Sequence, residues 1–131
     1  MKKLLLLLLL IPNLVMAENV FYCQDKLATG IQKRNGVWKT YDFSLERYTI
    51  KFNDDYTKLD GLDPFLLKCS LNYKNLKGEE NRIFCTTRFG WPNFTFDTLS
   101  MRYTYAQLSP SSYVENGSDT AHFSAGTCKA F

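Results

Sequence analysis

The segment LKCSLNYKNLKGEENRIFCTTRF, residues 67–89, carries the clearest strand pattern of the chain. Two runs of alternating residues flank a polar centre, and one side of each run is the more apolar, as in strands that bury one face. Cys69 and Cys85 lie equally far from Lys77 along the chain. If the two runs pair around Lys77, these cysteines face each other within the separation that a disulfide needs. The segment therefore predicts an antiparallel hairpin that is closed by a Cys69–Cys85 disulfide.

Residues 1–17 read MKKLLLLLLLIPNLVMA and have the organisation of a secretory signal peptide. A basic start precedes an apolar core, and the residues at Val15 and Ala17 predict cleavage after Ala17. The apolar run is shorter than the roughly 20 residues that a membrane helix needs, and no later stretch approaches that length. We therefore expect an exported protein, periplasmic or secreted, that is not membrane-embedded and whose residues 18–131 form a single β domain.

All four cysteines lie after this leader, and an even number of cysteines in an exported chain argues for two disulfides. Three pairings are possible in principle. The hairpin favours Cys69 with Cys85, which leaves Cys23 with Cys128 and ties the start of the β domain to its end. A zinc site is disfavoured, because the chain has no C-x-x-C pair and a single histidine, His122.

The charge of the chain argues against nucleic-acid binding. The 131 residues carry a net charge of +3, but Lys2 and Lys3 leave with the leader, so the remaining 114 residues have a charge of +1. A nucleic-acid binder needs a clear basic excess, because neutralisation of phosphates supplies most of its affinity. The 8 Tyr, 10 Phe and 2 Trp residues all lie in the β domain and predict one aromatic core.

Strand patterns dominate the rest of the chain, and no segment has a helical period over three turns. Further strands are predicted at 20–24, 28–34, 37–43, 47–52, 56–59 and 121–131, with a hairpin turn at Asn35-Gly36 and a loop at 109–120. The apolar parity changes near Asp97, which predicts a β-bulge or a tight turn there. The expected fold is all-β: a small antiparallel barrel, lipocalin-like or of another up-and-down type, with a β-sandwich as the alternative.

Residues with catalytic or metal-binding potential are few. His122 has Asp119 and Ser124 nearby in sequence, but no nucleophile or oxyanion motif accompanies them, and we expect an ordinary histidine at the surface or a sheet edge. The acidic stretch 53–63 does not have the order of an EF-hand loop, and turns favour Asp, Asn and Gly for backbone reasons. We therefore predict a protein that is not an enzyme and that needs no metal or cofactor.

Basic residues follow the polar faces of the predicted central strands, while carboxylates gather in residues 42–63. This pattern predicts a basic sheet face and an acidic rim. Charged strand faces commonly serve solvation and protection against aggregation, and the alternative is an anionic partner. The basic positions are Arg47, Lys51, Lys68, Lys74, Arg82, Arg88 and Arg102, of which Arg47, Lys51, Arg82, Arg88 and Arg102 are the candidate binding residues.

Three short motifs resemble known groups of proteins. Gly36-Val37-Trp38 resembles the G-x-W motif of lipocalins, and Phe21-Tyr22-Cys23 with a late cysteine resembles the small periplasmic inhibitors of C-type lysozyme, which are disulfide-linked β-barrels. The ending Gly126-Thr127-Cys128-Lys129-Ala130-Phe131, together with the leader and the cysteine order, is similar to small exported two-disulfide β proteins of aquatic bacteria and their phages. This last resemblance spans most of the β domain and implies a two-disulfide β fold, but no activity.

Two functions follow as hypotheses. The aromatic content favours a barrel that binds a small apolar or aromatic ligand. The alternative is a protein-interaction module or inhibitor, for example of a cell-wall hydrolase, that acts through its basic face and the loops at 53–64 and 109–120. In both cases we expect a monomer.

Overall fold

The computed structural model describes residues 19–73, 76–79 and 81–131, so the predicted leader lies outside the described residues. The chain forms nine β-strands: β1 (Asn19–Arg34), β2 (Val37–Asp42), β3 (Arg47–Phe52), β4 (Lys58–Leu62), β5 (Phe65–Tyr73), β6 (Arg82–Thr86), β7 (Asn93–Asp97), β8 (Arg102–Leu108) and β9 (Ala121–Ala130). All neighbouring strands pair antiparallel.

Eight of these strands close into a barrel. The sheet runs β1-β3-β4-β5-β6-β7-β8-β9, and β9 pairs again with β1, which leaves no free edge in this ring. The ninth strand, β2, pairs only with the second half of β1, from Thr29 to Arg34. The prediction of a small antiparallel barrel is confirmed, and the sandwich alternative is not what the chain adopts.

Strand β1 is longer than the sequence predicted. The two predicted strands at 20–24 and 28–34 are one strand of 16 residues, because the register against β9 shifts between Asp25 and Leu27 without ending the pairing. This shift is a β-bulge, which adds a residue and bends a strand while the ladder continues on both sides. On one side, the first half of β1 pairs with β3 and the second half with β2; on the other side, β9 pairs with both halves as far as Ile31.

Both predicted disulfides are present. Cys69 faces Cys85 across the β5–β6 ladder and bonds to it at 2.03 Å, and Cys23 faces Cys128 across the β1–β9 ladder and bonds to it at 2.04 Å. The second bond therefore joins the first and last strands, where the barrel closes. All cysteines are oxidised, which is consistent with an oxidising compartment.

The turns follow from local chemistry. Asn35 and Gly36 both have positive φ, as a two-residue hairpin turn requires. The parity change near Asp97 is the tight turn between β7 and β8, in which Met101 has φ 58°. The strand predicted at 56–59 instead begins at Lys58, because the side-chain oxygen of Asn53 accepts the N–H groups of Thr57 and Lys58 and prolongs the preceding turn.

Aromatic and aliphatic side chains fill the lower part of the barrel, at the end where β3 runs into β4. The rings of Phe52 and Phe96 stack with centroids 6.0 Å apart, and Phe21 packs edge-on against Phe96 at 5.1 Å. The cluster also contains the buried side chains of Ile50, Leu59, Leu62, Leu67, Ile83, Phe94, Cys23, Cys85 and Cys128, and the partly buried Cys69 packs against it. Since these side chains occupy the interior, the aromatic content predicted from the sequence serves as core.

Candidate functional site

Polar side chains replace this apolar core towards the opposite end of the barrel. There a pocket of about 370 Å³ lies between the start of β3 and the end of β4, which are neighbours in the wall, and the end of β8, which is not a neighbour of either strand. The pocket therefore opens into the end of the barrel, and we call it the mouth. Its side chains include Glu46, Tyr48, Leu62, Asp63, Tyr105 and Gln107.

The β1 bulge places a carboxylate beneath the mouth. Asp25 is fully buried, and its Oδ1 accepts a hydrogen bond from the Tyr103 hydroxyl at 2.5 Å. Its Oδ2 accepts the Glu46 N–H at 3.1 Å, while the Asp25 N–H donates to the Glu46 carbonyl at 2.9 Å. These bonds attach the loop before β3 to the bulge. They fix the backbone at Glu46, whose side chain lines the mouth.

Three tyrosines converge above Asp25. The ring of Tyr48 packs edge-on against those of Tyr103 and Tyr105, with centroids 6.3 and 5.9 Å away. Burial and then the charges of Asp25 and Glu46 raise the pKa of Tyr48, and burial followed by the hydrogen bond to Asp25 raises the pKa of Tyr103. Burial and the charge of Glu46 raise the pKa of Tyr105 to about 12. All three phenols are therefore protonated at neutral pH and lie in a negative electrostatic field.

Buried polar groups lie beside the mouth. The Tyr48 hydroxyl interacts with Glu46 and with the hydroxyl of Ser124, which is fully buried and faces Tyr105 across the β8–β9 ladder. His122 is 8% exposed, its Nδ1 lies 3.3 Å from the Gln107 amide nitrogen, and its Nε2 lacks a partner among the described residues. The floor of the mouth is therefore polar, and its hydroxyl groups interact with each other and with Glu46.

Aromatic rings border the open side of the mouth. Phe65 packs against Trp91 at 5.6 Å, and Phe43 packs against His122 at 4.7 Å. A second pocket of about 220 Å³ lies next to the mouth, contains Trp91, and shares Gln107 with it. Trp91 is therefore close enough to report on occupancy of this end of the barrel.

The predicted basic residues do not form one face. Arg47 and Lys51 are on β3, whereas Arg82 and Arg102 are on β6 and β8 with Asp97 between them in the register. Arg88 lies in the loop after β6, with its guanidinium 4.6 Å from the Phe89 ring centroid. Lys68 is exposed on β5, and Lys74 lies outside the described residues. The basic residues are separated because the sheet closes into a barrel, and the outer faces of a barrel's strands point in different directions.

The structure places the residues that the sequence offered for a triad. His122 is buried on the inner side of β9, so its assignment to the surface or a sheet edge was wrong. Asp119 accepts a hydrogen bond from Ser109 at 3.0 Å. The loop before β9 therefore uses this carboxylate for its own conformation.

The acidic stretch 53–63 divides between the two ends of the barrel. Asn53 and Asp55 bond to Thr57 within the β3–β4 turn, while Asp63 reaches the mouth. Within the described ranges, no group of three or more His, Cys, Asp or Glu side chains could hold a metal ion.

The sequence did not identify Asp25, Glu46, Tyr48 or Tyr105 as site residues. Asp25 and Glu46 fell between predicted strands, and the tyrosines were assigned to the core. A signal was present in the inward parity of Tyr103 and Tyr105 and in that of Asp25 after Phe21 and Cys23, but only the pairing of β1 with β9 and of β9 with β8 brings these groups together.

In the part of the chain that the structure describes, no helix has the length and apolarity needed to cross a membrane. Comparisons with protein-family models, curated proteins and solved structures find no match to this chain.

Proposed function

We propose that the protein is an exported, non-enzymatic binding barrel whose mouth takes a small positively charged ligand, such as an organic amine. The observation that carries this proposal is the combination of carboxylates, tyrosine rings and buried hydroxyl groups at one end of the barrel. The mouths of β-barrels are common ligand sites, and pockets of about 300–1,000 Å³ suit small molecules.

Charge selects the class of ligand. Glu46 and Asp63 line the mouth, Asp25 lies beneath it, and Arg47 at its edge is the one basic residue of the lining. The negative field acts on the tyrosine hydroxyls, whose pKa values are raised in part by Asp25 and Glu46. A field that disfavours phenolate favours a cation at the same position.

The aromatic rings and polar atoms add recognition of a different kind. A cation within about 6 Å of a ring centroid is attracted to the face of that ring, and ammonium ligands are commonly bound in this way. Tyr48 provides such a ring on the lining of the mouth. Its hydroxyl, which also interacts with Glu46, can accept a hydrogen bond from an ammonium group. The apolar ligand expected from the sequence has less support, because the aromatic rings form the core.

Calorimetric titration tests this proposal with three related compounds: 2-phenylethylamine, neutral 2-phenylethanol and anionic 3-phenylpropionate. We expect the amine to bind at least tenfold more tightly than the alcohol and the acid not to bind. The double variant Glu46→Gln, Asp63→Asn should remove this preference, whereas Asp54→Asn, an exposed acid in the β3–β4 turn, should preserve it. Equal affinity for amine and alcohol would contradict the proposal.

A protruding element supports a second candidate, the interaction module or inhibitor. Beyond the barrel, Trp38 of β2 packs on Tyr113 of the 109–120 loop at 5.5 Å and donates to Asn116 at 3.2 Å. This element leaves Tyr113 and Val114 62% and 84% exposed. Exposed apolar residues on a braced loop are typical of a protein contact.

The test of this second candidate is capture of an envelope protein by the immobilised chain, compared with the variant Tyr113→Ser, Val114→Ser. Recovery of a partner by the original chain and not by the variant supports an interaction module. Equal recovery by both, or recovery by neither, counts against it.

A further inference from the structure

The outer wall of the barrel at β3, β1 and β9 is a second polar surface, which adjoins the mouth at Arg47 and Tyr48. Residues that face outward form rows across the three strands: Thr49, Tyr22 and Lys129 in one row, and Arg47, Gln24 and Thr127 in the next. Neighbouring strands are about 4.8 Å apart, so residues at the two ends of a row are about 10 Å apart. The surface is concave and encloses a groove of about 610 Å³.

The charge of this wall groove has one sign. Among the residues that the structure describes, Lys26, Arg47 and Lys129 line it, and no carboxylate does. Lys51 lies outside the groove, in register with Asp60 of β4. The acids nearest in sequence, Asp25 and Glu46, are turned to the interior and the mouth. The alternation of β1 produces this division, because Asp25 has the inward parity of Phe21 and Cys23, and Lys26 follows it on the outside.

The wall groove also offers a flat ring and neutral hydrogen-bonding groups. Tyr22 is 46% exposed at the centre of the grid, and its ring lies 5.5 Å from that of Phe131. Gln24, Thr49 and Thr127 surround it with amide and hydroxyl groups. An exposed ring among hydroxyl and amide groups suits a sugar ring, and the surrounding cations suit carboxylate or sulfate groups on the same polymer.

We propose that the wall groove binds a segment of an acidic polysaccharide, with one sugar ring against Tyr22 and its anionic groups on Lys26, Arg47 and Lys129. The concave shape suits a single linear chain better than the flat surface of a membrane. The chemistry of the lining, with its ring and hydroxyl groups between the cations, distinguishes it from a surface that is merely basic. This proposal does not depend on ligand binding at the mouth.

The experiment measures binding of a hexameric oligogalacturonate by calorimetry in 20 mM and 150 mM salt. We expect the variant Lys26→Glu, Lys129→Glu to lose at least tenfold in affinity. The variant Lys39→Glu, Arg88→Glu makes the same change in net charge at exposed sites outside the groove, and should change affinity less than threefold. Equal losses in both variants would show attraction by overall charge only and overturn the proposal.

Two further measurements separate the alternatives. Tyr22→Ala should weaken oligogalacturonate binding, whereas Tyr41→Ala, at a similarly exposed ring on β2, should not. Binding to phosphatidylglycerol vesicles without binding to oligogalacturonate would replace the polysaccharide by a membrane and overturn the proposal. Because Lys26 and Lys129 do not line the mouth, amine binding should be retained in the Lys26→Glu, Lys129→Glu variant, which separates failure of this site from failure of the other.

Discussion

The two disulfides should contribute unequally to stability, because they close loops of very different length. The perturbation is the replacement of each pair by alanine: Cys23→Ala with Cys128→Ala in one variant, and Cys69→Ala with Cys85→Ala in the other. The first bond spans 105 residues of sequence and the second spans 16. Both pairs contact the same core, so the loss of packing is similar in the two variants.

The expected magnitudes follow from the entropy of loop closure in the unfolded chain. A loop of 105 residues gives about 4.7 kcal/mol, and a loop of 16 gives about 3 kcal/mol. Removal of the Cys23–Cys128 bond should therefore cost roughly 1.7 kcal/mol more than removal of the other. Since a domain of this size has a total stability of about 5–15 kcal/mol, the first variant loses a large share of it.

Urea unfolding followed by tryptophan fluorescence measures both variants against the original protein. Trp38 reports on β2 beyond the barrel and Trp91 on its mouth, so coincident changes also establish a single transition. The first variant should have the lower midpoint. An equal loss in the two variants, or a larger loss on removal of Cys69–Cys85, would refute the reasoning that the end-to-end bond acts on the unfolded chain.

Three further predictions concern the interior and the turns. Asp25→Ala should lower the free energy of unfolding by about 2–5 kcal/mol in urea titrations, because it leaves buried donors such as the Tyr103 hydroxyl unpaired, whereas Asp25→Asn should cost less than half of that. The pKa of Tyr105 is raised to about 12, so its protonated hydroxyl should contribute about 2.7 kcal/mol of stability that is intact below pH 10 and lost as pH rises through 12. The free energy of unfolding, measured from pH 9 to 12, should therefore decline, and a constant value would contradict this prediction. Gly61→Ala should lower the melting temperature more than Gly36→Ala, because both have positive φ but only at Gly61 would the new Cβ clash with neighbouring backbone; equal shifts would exclude this difference.

Local patterns were sufficient for most of the fold. The alternation around Cys69 and Cys85 determined their register, and Asn35-Gly36 determined the first hairpin, because each depends on residues close in sequence. Closure of the barrel followed from the Cys23–Cys128 pairing.

These local patterns did not predict the β-bulge in β1. It depends on how β1 pairs with β9, whose partner residues are about a hundred positions later in the chain. From the sequence, Asp25 and Lys26 fell between two predicted strands. The mouth and the wall groove are formed by residues of strands far apart in sequence, so neither surface could be located from periodicity within one strand.

The mouth and the wall groove carry opposite charges, and this explains how a chain with little net charge can have two charged surfaces. The acidic rim expected from residues 42–63 corresponds in part to the mouth, where Glu46 and Asp63 lie. The basic face expected from the sequence corresponds in part to the wall groove on β3 and its neighbours, where Lys26 and Lys129 are additional basic residues. A ligand's charge therefore determines which surface attracts it.

The measurement that most directly tests a cation site in the mouth is the mapping of 2-phenylethylamine binding by amide chemical shifts in an isotope-labelled sample. We predict saturable shifts at residues 46–48, 61–63 and 105–107, which are far apart in sequence and meet only there. The same shifts should be absent with 2-phenylethanol. Shifts confined to other surfaces, or equal shifts with both compounds, would contradict the account.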